Sequence, residues 1–356
     1  MKQVERAIEV VKELKLDAVL VSNGYNMRYI SGFSGATGYL LITAAGEKLL
    51  FTDSRYTIAA GIGAPDFTVI EIGKGGYVEA LNKALEENNI QTLGFEAADL
   101  LYSTYASFKE KLVVKEFVPI QDELSNLRMI KSEEEIACLR QAEHIGDLAF
   151  AQILNDLKPG MTELEVAAKL EYYLKMNGAE KTSFETIIAS GVHSSMPHAE
   201  PDEKKLEMGD FVTMDFGCVY HGYCSDMTRT VVLGKANDKQ KEIYNTVLKA
   251  QLAVLDMAKP GLAGKEYDKV ARDIIAEAGY GDCFGHGLGH GVGLFIHENP
   301  RLSYVEERIM KPNMVVTVEP GIYVKGFGGV RIEDMIVFTE DGHENFAKSE
   351  KKLIEL

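Results

Sequence analysis

Two seven-residue stretches decide how this chain is read: FVTMDFG, residues 211–217, and VVTVEPG, residues 315–321. Each is a run of apolar and β-branched residues ending in a carboxylate and a glycine, the pattern of a strand that carries an acid into a turn. Upstream, in the same order and again about a hundred residues apart, lies a second matched pair, Lys158-Pro159-Gly160-Met161 and Lys259-Pro260-Gly261-Leu262. Both KPG segments lead into a helical pattern that ends near a glycine. Two matches in the same order indicate a duplicated half-domain, its halves facing each other across a pseudo-twofold axis. A repeat of this length does not describe a solenoid.

Each strand opens a longer segment with a β-rich return. FVTMDFGCVYHGYCSDMTRTVVL, residues 211–233, reads as a hairpin with Asp215 and Asp226 on its arms; VVTVEPGIYVKGFGGVRIEDMIVF, residues 315–338, repeats the design with Glu319 and Glu333. Asp is disfavoured in strands. A buried carboxylate is costly unless a cation, a proton or strong donors compensate it. A buried arginine would explain one such acid. It does not explain four, because Arg229 and Arg331 are the nearest basic residues and two cations cannot neutralise four anions. Divalent ions can.

The run GHGLGHGVGLFIHENP, residues 285–300, adds His286, His290 and His297, and SSMPHAE adds His198. Glycines would let the backbone lie close to a ligand or metal. The run is not a phosphate cradle: it has no GK[ST] end, and no GxGxxG sits between a strand and a helix. One imidazole with four carboxylates and no thiolate suits manganese, cobalt, iron or zinc and excludes copper(I). Bridging carboxylates would hold two such ions roughly 3.5–4 Å apart.

The rest of the chain bounds the class. Its 356 residues, 46% of them apolar, suit two domains. An amphipathic helix with Val4, Ile8 and Val11 at helical spacing opens an alternation of strands (DAVLV, GYLLIT, EKLLFT, TVIEI, TLGFE, VKEFVPI) and helices around 77–87 and 103–112. This reads as an α/β domain over residues 1–121. The polar run QDELSNLRMIKSEEEIACLRQA, residues 121–142, reads as helical and marks the boundary, with Ser132 and Glu135 as a capping box, so the second domain spans 122–356. The formal charge of −16 argues against nucleic acid and anionic membrane partners, which call for a basic face. Charges break every apolar run of the N-terminus, and no stretch approaches the ~20 residues of a membrane span. Cys138, Cys218, Cys224 and Cys283 are scattered and form no CxxC, as expected for a cytoplasmic protein.

The combination MDFG…SDMTRT, GHGLGHGVGLFIHENP, TVEPGIY and GGVRIED resembles the pita-bread metallopeptidases, and within them the Xaa-Pro peptidases, aminopeptidase P and prolidase. The resemblance spans the whole second domain in the family's order. It implies an α+β protein: a C-terminal pita-bread domain of two duplicated halves, preceded by an α/β creatinase-like N-terminal domain. It further implies two divalent metal ions per subunit, Mn2+ foremost with Co2+ or Zn2+ as alternatives. Asp226 and Glu333 would bridge both ions, Asp215 would complete one site, and His290 and Glu319 the other. A water or hydroxide bridging the ions would be the nucleophile, with Glu319 shuttling its proton. His198 and His297 would flank the scissile bond, His286 and Arg331 would orient substrate, and Tyr323 would donate an accessory hydrogen bond. The substrates implied are peptides with proline in the second position, and the assembly a homodimer through the N-terminal domain. LLFTDSRYTIAA resembles the aminopeptidase P version of that domain and offers Arg55 at the substrate entrance. His193, where the family often has Asn, has no assigned part. A methionine aminopeptidase-like enzyme normally lacks such an N-terminal domain, and a creatinase-like amidinohydrolase or binding protein would have lost ligands; all five stand here.

Overall fold

The structure, a computed structural model, describes residues 2–35 and 38–356. It divides into two compact units, one ending at Arg128 and one spanning Met129–Leu356.

The first unit is built on a six-stranded sheet. Its elements run α1 (Gln3–Glu13), β1 (Ala18–Val21), α2 (Gly24–Ser31), β2 (Tyr39–Thr43), β3 (Lys48–Thr52), α3 (Thr57–Gly63), β4 (Thr68–Glu71), α4 (Gly76–Glu87), β5 (Thr92–Glu96), α5 (Tyr102–Lys111) and β6 (Glu116–Ile120). The strand order is β4-β3-β2-β1-β5-β6, with β1, β5 and β6 parallel and β2 antiparallel to both β1 and β3. Residues 121–128 stay with this unit. A short 3-10 turn, Ser125–Arg128, is tied back to it: Tyr29 donates to the Leu127 carbonyl, Asn26 to Ser125 Oγ, and Arg128 to Asn26. The polar run is therefore this turn followed by the helix that the Ser132–Glu135 capping box opens, which begins at Glu133. Its start is fixed by Ser132, whose hydroxyl and backbone exchange bonds with Glu135 in a capping box.

The second unit shows the duplication in its hydrogen bonds. Its first half contains α6 (Glu133–Ile153), α7 (Glu163–Met176), β7 (Lys181–Thr182), β8 (Ile187–Ser190), β9 (Phe211–Phe216), β10 (Cys218–Tyr220), β11 (Tyr223–Cys224) and β12 (Met227–Val232). The second half contains α8 (Asp238–Met257), α9 (Gly264–Glu277), β13 (Gly289–Gly291), β14 (Glu298–Leu302), β15 (Val315–Val318), β16 (Gly321–Val324), β17 (Gly328–Arg331), β18 (Asp334–Phe338) and β19 (His343–Asn345). The two KPG segments join α6 to α7 and α8 to α9. Pro159 and Pro260 lie in these links, past the helix ends, and Gly160 and Gly261 adopt φ of +91° and +104°, which an L side chain resists. Gly160 N–H donates to the Leu206 carbonyl at 2.8 Å and Gly261 N–H to the Met310 carbonyl at 3.0 Å. The return bonds, Leu206 to Met161 and Met310 to Leu262, are 2.8 and 2.9 Å.

Each half packs its own core: Ile145, Phe150, Leu170 and Leu174 under β8, β9 and β12, and Ile243, Val254, Tyr267 and Ile275 under β15 and β18. The helical spacing of these residues lays one apolar stripe per helix against the sheets. Both hairpins have the same form. A long antiparallel pair (β9 with β12, β15 with β18) is interrupted after its carboxylate, and a small second pair (β10 with β11, β16 with β17) projects from the end. The acids therefore cluster where the long pairs stop. Asp215 is within β9, whereas Asp226, Glu319 and Glu333 lie one residue beyond a strand end. The hairpins meet edge to edge there: Glu333 N–H donates to the Thr228 carbonyl, and Thr230 Oγ1 to the Arg331 carbonyl, both at 3.1 Å.

Candidate metal centre

That junction opens into a cavity of about 470 Å3. Asp215, Asp226, His290, Glu319, Glu333, His198, His286, His297 and Arg331 all line it, together with Phe184, Ile187, Pro197 and Arg301. Of the remaining candidates, Tyr323 stands behind the wall. Arg55 belongs to the first unit, where its guanidinium is bonded to both oxygens of Asp53.

Asp226, His290 and Glu333 bring donor atoms within 4.8 Å of one another. The imidazole of His290 is oriented by its backbone neighbour: Nδ1 lies 3.2 Å from the Gly291 carbonyl and donates to it, which leaves the Nε2 lone pair facing inward. Nε2 is 3.3 Å from Glu319 Oε1 and 3.5 Å from Asp226 Oδ2. Burial drives the His290 pKa down to about 3, so the ring is neutral. A lone pair thus faces two carboxylate oxygens with no donor between them. The compensation is missing on the acid side too. Asp226 and Glu333 are held well above the usual carboxylate range, first by burial and then by the other acids, and Glu319 is pushed up to about 8 by burial. Asp215 has one buried oxygen, Oδ1, with no hydrogen-bond partner. A divalent cation resolves all of these at once, and the donor set of carboxylates plus one imidazole fits such an ion.

Protein groups also hold the acids in place. Thr228 Oγ1 donates to Glu333 and Thr317 Oγ1 to Glu319, while Glu143 accepts the backbone N–H of Asp226. Arg331 spreads its guanidinium over four acceptors: Asp215, Thr228 Oγ1, Tyr323 Oη and the Pro197 carbonyl. Its burial disfavours the charge, but Tyr323, Asp215, Glu333 and Glu319 outweigh that and raise its pKa further. Tyr323 in turn donates to Nε2 of His286 at 2.9 Å, because Nδ1 of that ring is committed as donor to the Gly287 carbonyl at 2.7 Å. Burial keeps His286 neutral, with its pKa lowered to about 4. His297 sits with its ring centroid 4.4 Å from that of His290.

The Gly-rich run owes its glycines to backbone packing more than to ligand approach. A Cβ at Gly289 would stand 2.1 Å from the Thr317 carbonyl oxygen, and one at Gly291 2.5 Å from that of Asn299. Only bare backbone lets β13 lie between β14 and β15 and carry His290 inward. Sequence reasoning passed over Arg301. It lies on β14 just past the HENP motif, lines the cavity, and makes no side-chain hydrogen bond or ion pair among the described residues. Burial lowers its pKa and outweighs the nearby charges of Glu319 and Glu306, which act to raise it. Glu163, His193 and Asp202 form a second group of close donors, none of which lines the cavity.

Comparison with known proteins agrees with this geometry. Residues 137–340 match metallopeptidase family M24, and residues 3–130 match the Creatinase/Prolidase N-terminal domain. The chain is 44% identical to the Xaa-Pro dipeptidase of Pyrococcus horikoshii over 99% of both chains. Among solved structures, a Bacillus anthracis Xaa-Pro dipeptidase superposes with a TM-score of 0.97 at 44% identity, over 100% of this chain and 99% of that one. An X-Pro aminopeptidase from Thermotoga maritima superposes with a TM-score of 0.90 at 38% identity, covering 98% and 100%.

Proposed function

This chain belongs to metallopeptidase family M24, and on that premise we propose that it is an Xaa-Pro dipeptidase. The family is a metallopeptidase family, so divalent ions are part of the enzyme. Asp215, Asp226, His290, Glu319 and Glu333 would hold two of them, with Asp226 and Glu333 shared. Held there, the ions would polarise the scissile carbonyl and lower the pKa of the attacking water. We take them as Mn2+, in keeping with a ligand set rich in hard oxygen donors.

The protein's own groups account for the rest. Glu319 keeps one oxygen on Thr317 and has the other free to carry a proton from the attacking water to the leaving nitrogen. That nitrogen is the imide-like nitrogen of proline, which has no N–H to be gripped and must gain a proton to leave. Phe184, Ile187 and Pro197 give the cavity an apolar wall suited to the pyrrolidine ring. His198 and His297 stand on the rim as donors for the developing oxyanion. Arg331 gives four of its five N–H donors to Asp215, Thr228, Tyr323 and the Pro197 carbonyl, which leaves one for substrate in the cavity it lines.

The observation that carries the dipeptidase reading is Arg301: a cation in the cavity wall that forms no ion pair among the described residues. A dipeptide ending in proline brings a carboxylate; a longer peptide brings a neutral amide at that place. Purified protein with Mn2+ is expected to cleave Xaa-Pro dipeptides well ahead of Xaa-Pro-Yaa tripeptides. Arg301→Gln is expected to raise KM for the dipeptide roughly 10- to 100-fold, the loss of one charge-assisted bond, and to leave tripeptide cleavage nearly unchanged. Faster cleavage of the tripeptide by the unaltered protein would convert the reading to an aminopeptidase. We further propose a cytoplasmic homodimer. The scattered cysteines of the sequence, none in a CxxC, suit a reducing compartment, and Ile58 and Ile62 of α3 stand four residues apart and about 80% exposed, a face for a second copy; light scattering reads the dimer.

A further inference from the structure

Glu163 is the first residue of α7, fully buried, and outside the cavity. Both of its oxygens are engaged. Oε1 accepts from the backbone N–H and the hydroxyl of Ser190, each at 2.7 Å; Oε2 accepts from His193 Nδ1 at 3.2 Å and from the Asp202 N–H at 3.4 Å. These partners bracket one segment, the 3-10 turn Gly191–Ser195 and the Met196-Pro197-His198 that follows it. The far side of the turn is fixed as well. Gly329 N–H donates to Ser194 Oγ at 2.8 Å, and Arg331 donates to the Pro197 carbonyl. Lys204 ties Ser190 Oγ to Asp210 at 2.7 and 3.0 Å, and Gly191 sits so close to the Asp210 carboxylate that a Cβ would meet it at 2.5 Å. His198, the residue at the end of this segment, is exposed and lines the cavity.

The duplication shows that this carboxylate is not a requirement of the fold. In the second half the corresponding place, after KPG, is Gly264, the first residue of α9. There the chain of β14 comes so near that a Cβ would lie 2.3 Å from the Arg301 carbonyl. The same corner of the two halves thus holds a buried carboxylate under the His198 segment in one and bare backbone under the Arg301 strand in the other.

We propose that Glu163 and His193 are positioning residues that hold the 191–198 segment so that His198 faces the scissile bond; the part given to His198 rests on the dipeptidase reading. Glu163→Gln puts an amide N–H2 against donors and should loosen the turn. His193→Ala removes a single bond from a half-exposed ring and spares the fold. Two measurements test the proposal. In metal-free protein with labelled histidine, the ring resonance of His198 is identified by its loss in His198→Ala. It is expected to shift and broaden in Glu163→Gln, and to a smaller degree in His193→Ala. This needs no substrate, so it holds whether or not the peptide specificity does. In Mn2+-loaded enzyme, Glu163→Gln is expected to lower kcat on an Xaa-Pro dipeptide about 10- to 100-fold and His193→Ala about 3- to 10-fold, with KM and bound metal near normal. In a His198→Ala background each is expected to cost less than about twofold, since both act through that ring. An unmoved His198 resonance in both variants, or an equal loss with and without His198, overturns the proposal. Absence of dipeptide cleavage by the unaltered protein would instead count against the dipeptidase reading alone.

Discussion

Glu333 and Asp334 are neighbours in the chain, both buried, and differently compensated. Asp334, at the start of β18, takes Arg229 on one oxygen and Lys351, Gln251 and Asn345 on the other. Burial works against its charge, but Arg229 and Lys351 overcome it and hold the pKa down at about 2. Glu333 receives one hydroxyl, from Thr228, and its pKa is driven well above normal by burial and by Glu319 and Asp215. The strand alternation is the cause. Residues one apart point to opposite faces, so Thr228 and Glu333 turn toward the cavity while Arg229 and Asp334 turn away from it. On that far side the arginine also donates to the Glu333 carbonyl at 2.6 Å and to the Ser349 carbonyl. One face is an ion pair completed by the protein; the other is a cluster of acids with too few donors. Burial alone does not set them apart: Glu143 is buried too, with one oxygen unpartnered, but it does not line the cavity. Acids that crowd one cavity with too few donors are the ones that call for a cation.

The largest test of this contrast is on the cavity side. Asp226→Asn or Glu333→Gln is expected to reduce hydrolysis by roughly three orders of magnitude or more, since each removes an acid proposed as a shared ligand, and to lower bound metal measured by elemental analysis. The same changes should not lower the melting temperature of the metal-free protein at pH 8, because they delete an uncompensated charge. A metal-free variant that melts well below the unaltered protein would break the contrast. On the opposite face the order reverses. Asp334→Ala strands Arg229 and is expected to cost about 3–5 kcal/mol of stability in denaturant titration, whereas Arg229→Met with Asp334→Leu should cost clearly less. Equal losses for the single and double changes would mean the pair is held by packing and not by charge.

A smaller effect follows from pH. Glu319 titrates at about 8 in the folded metal-free protein against an ordinary 4.5, and Asp226 and Glu333 are raised as well. The folded state holds these protons where the unfolded one has lost them, so the acids make stability fall as pH rises. Below about pH 6.5 the buried neutral His286 and His290 act in the opposite sense. Calorimetry in chelator should therefore show a melting temperature that declines from about pH 6.5 to 8, and excess Mn2+ should abolish the decline, because the ions bind the ionised acids. A rising melting temperature over that interval would refute the assignment. The smallest effect expected is at Tyr323. Its hydroxyl links Arg331 to His286, and Tyr323→Phe should reduce kcat/KM about fivefold, the worth of one hydrogen bond.

Much of the site was legible because its signals are local. A carboxylate at the end of an apolar strand, its repetition in a second hairpin, and the histidines of a glycine run are visible without coordinates, and they named seven of the residues that line the cavity, with His198 and Arg331 named beside them. Other residues escaped for a physical reason. Arg301 is marked only by the absence of a partner, and Thr228, Thr317 and Glu143 only by whom they touch across the fold. Arg229 and Arg331 look alike in sequence, each near the acids, yet one serves Asp334 and the other Asp215.

By itself the sequence determined the class of chemistry, since acids in apolar strands demand cations wherever the strands lie, and it determined the duplication, since KPG and strand-acid-glycine recur in order. Tertiary structure decided which acids go short of protein donors, which arginine lines the cavity without an ion pair among the described residues, and which buried carboxylate is bonded to the turn that precedes His198. Those choices depend on the face each side chain takes when two hairpins meet edge to edge, and that pairing brings together residues about a hundred positions apart.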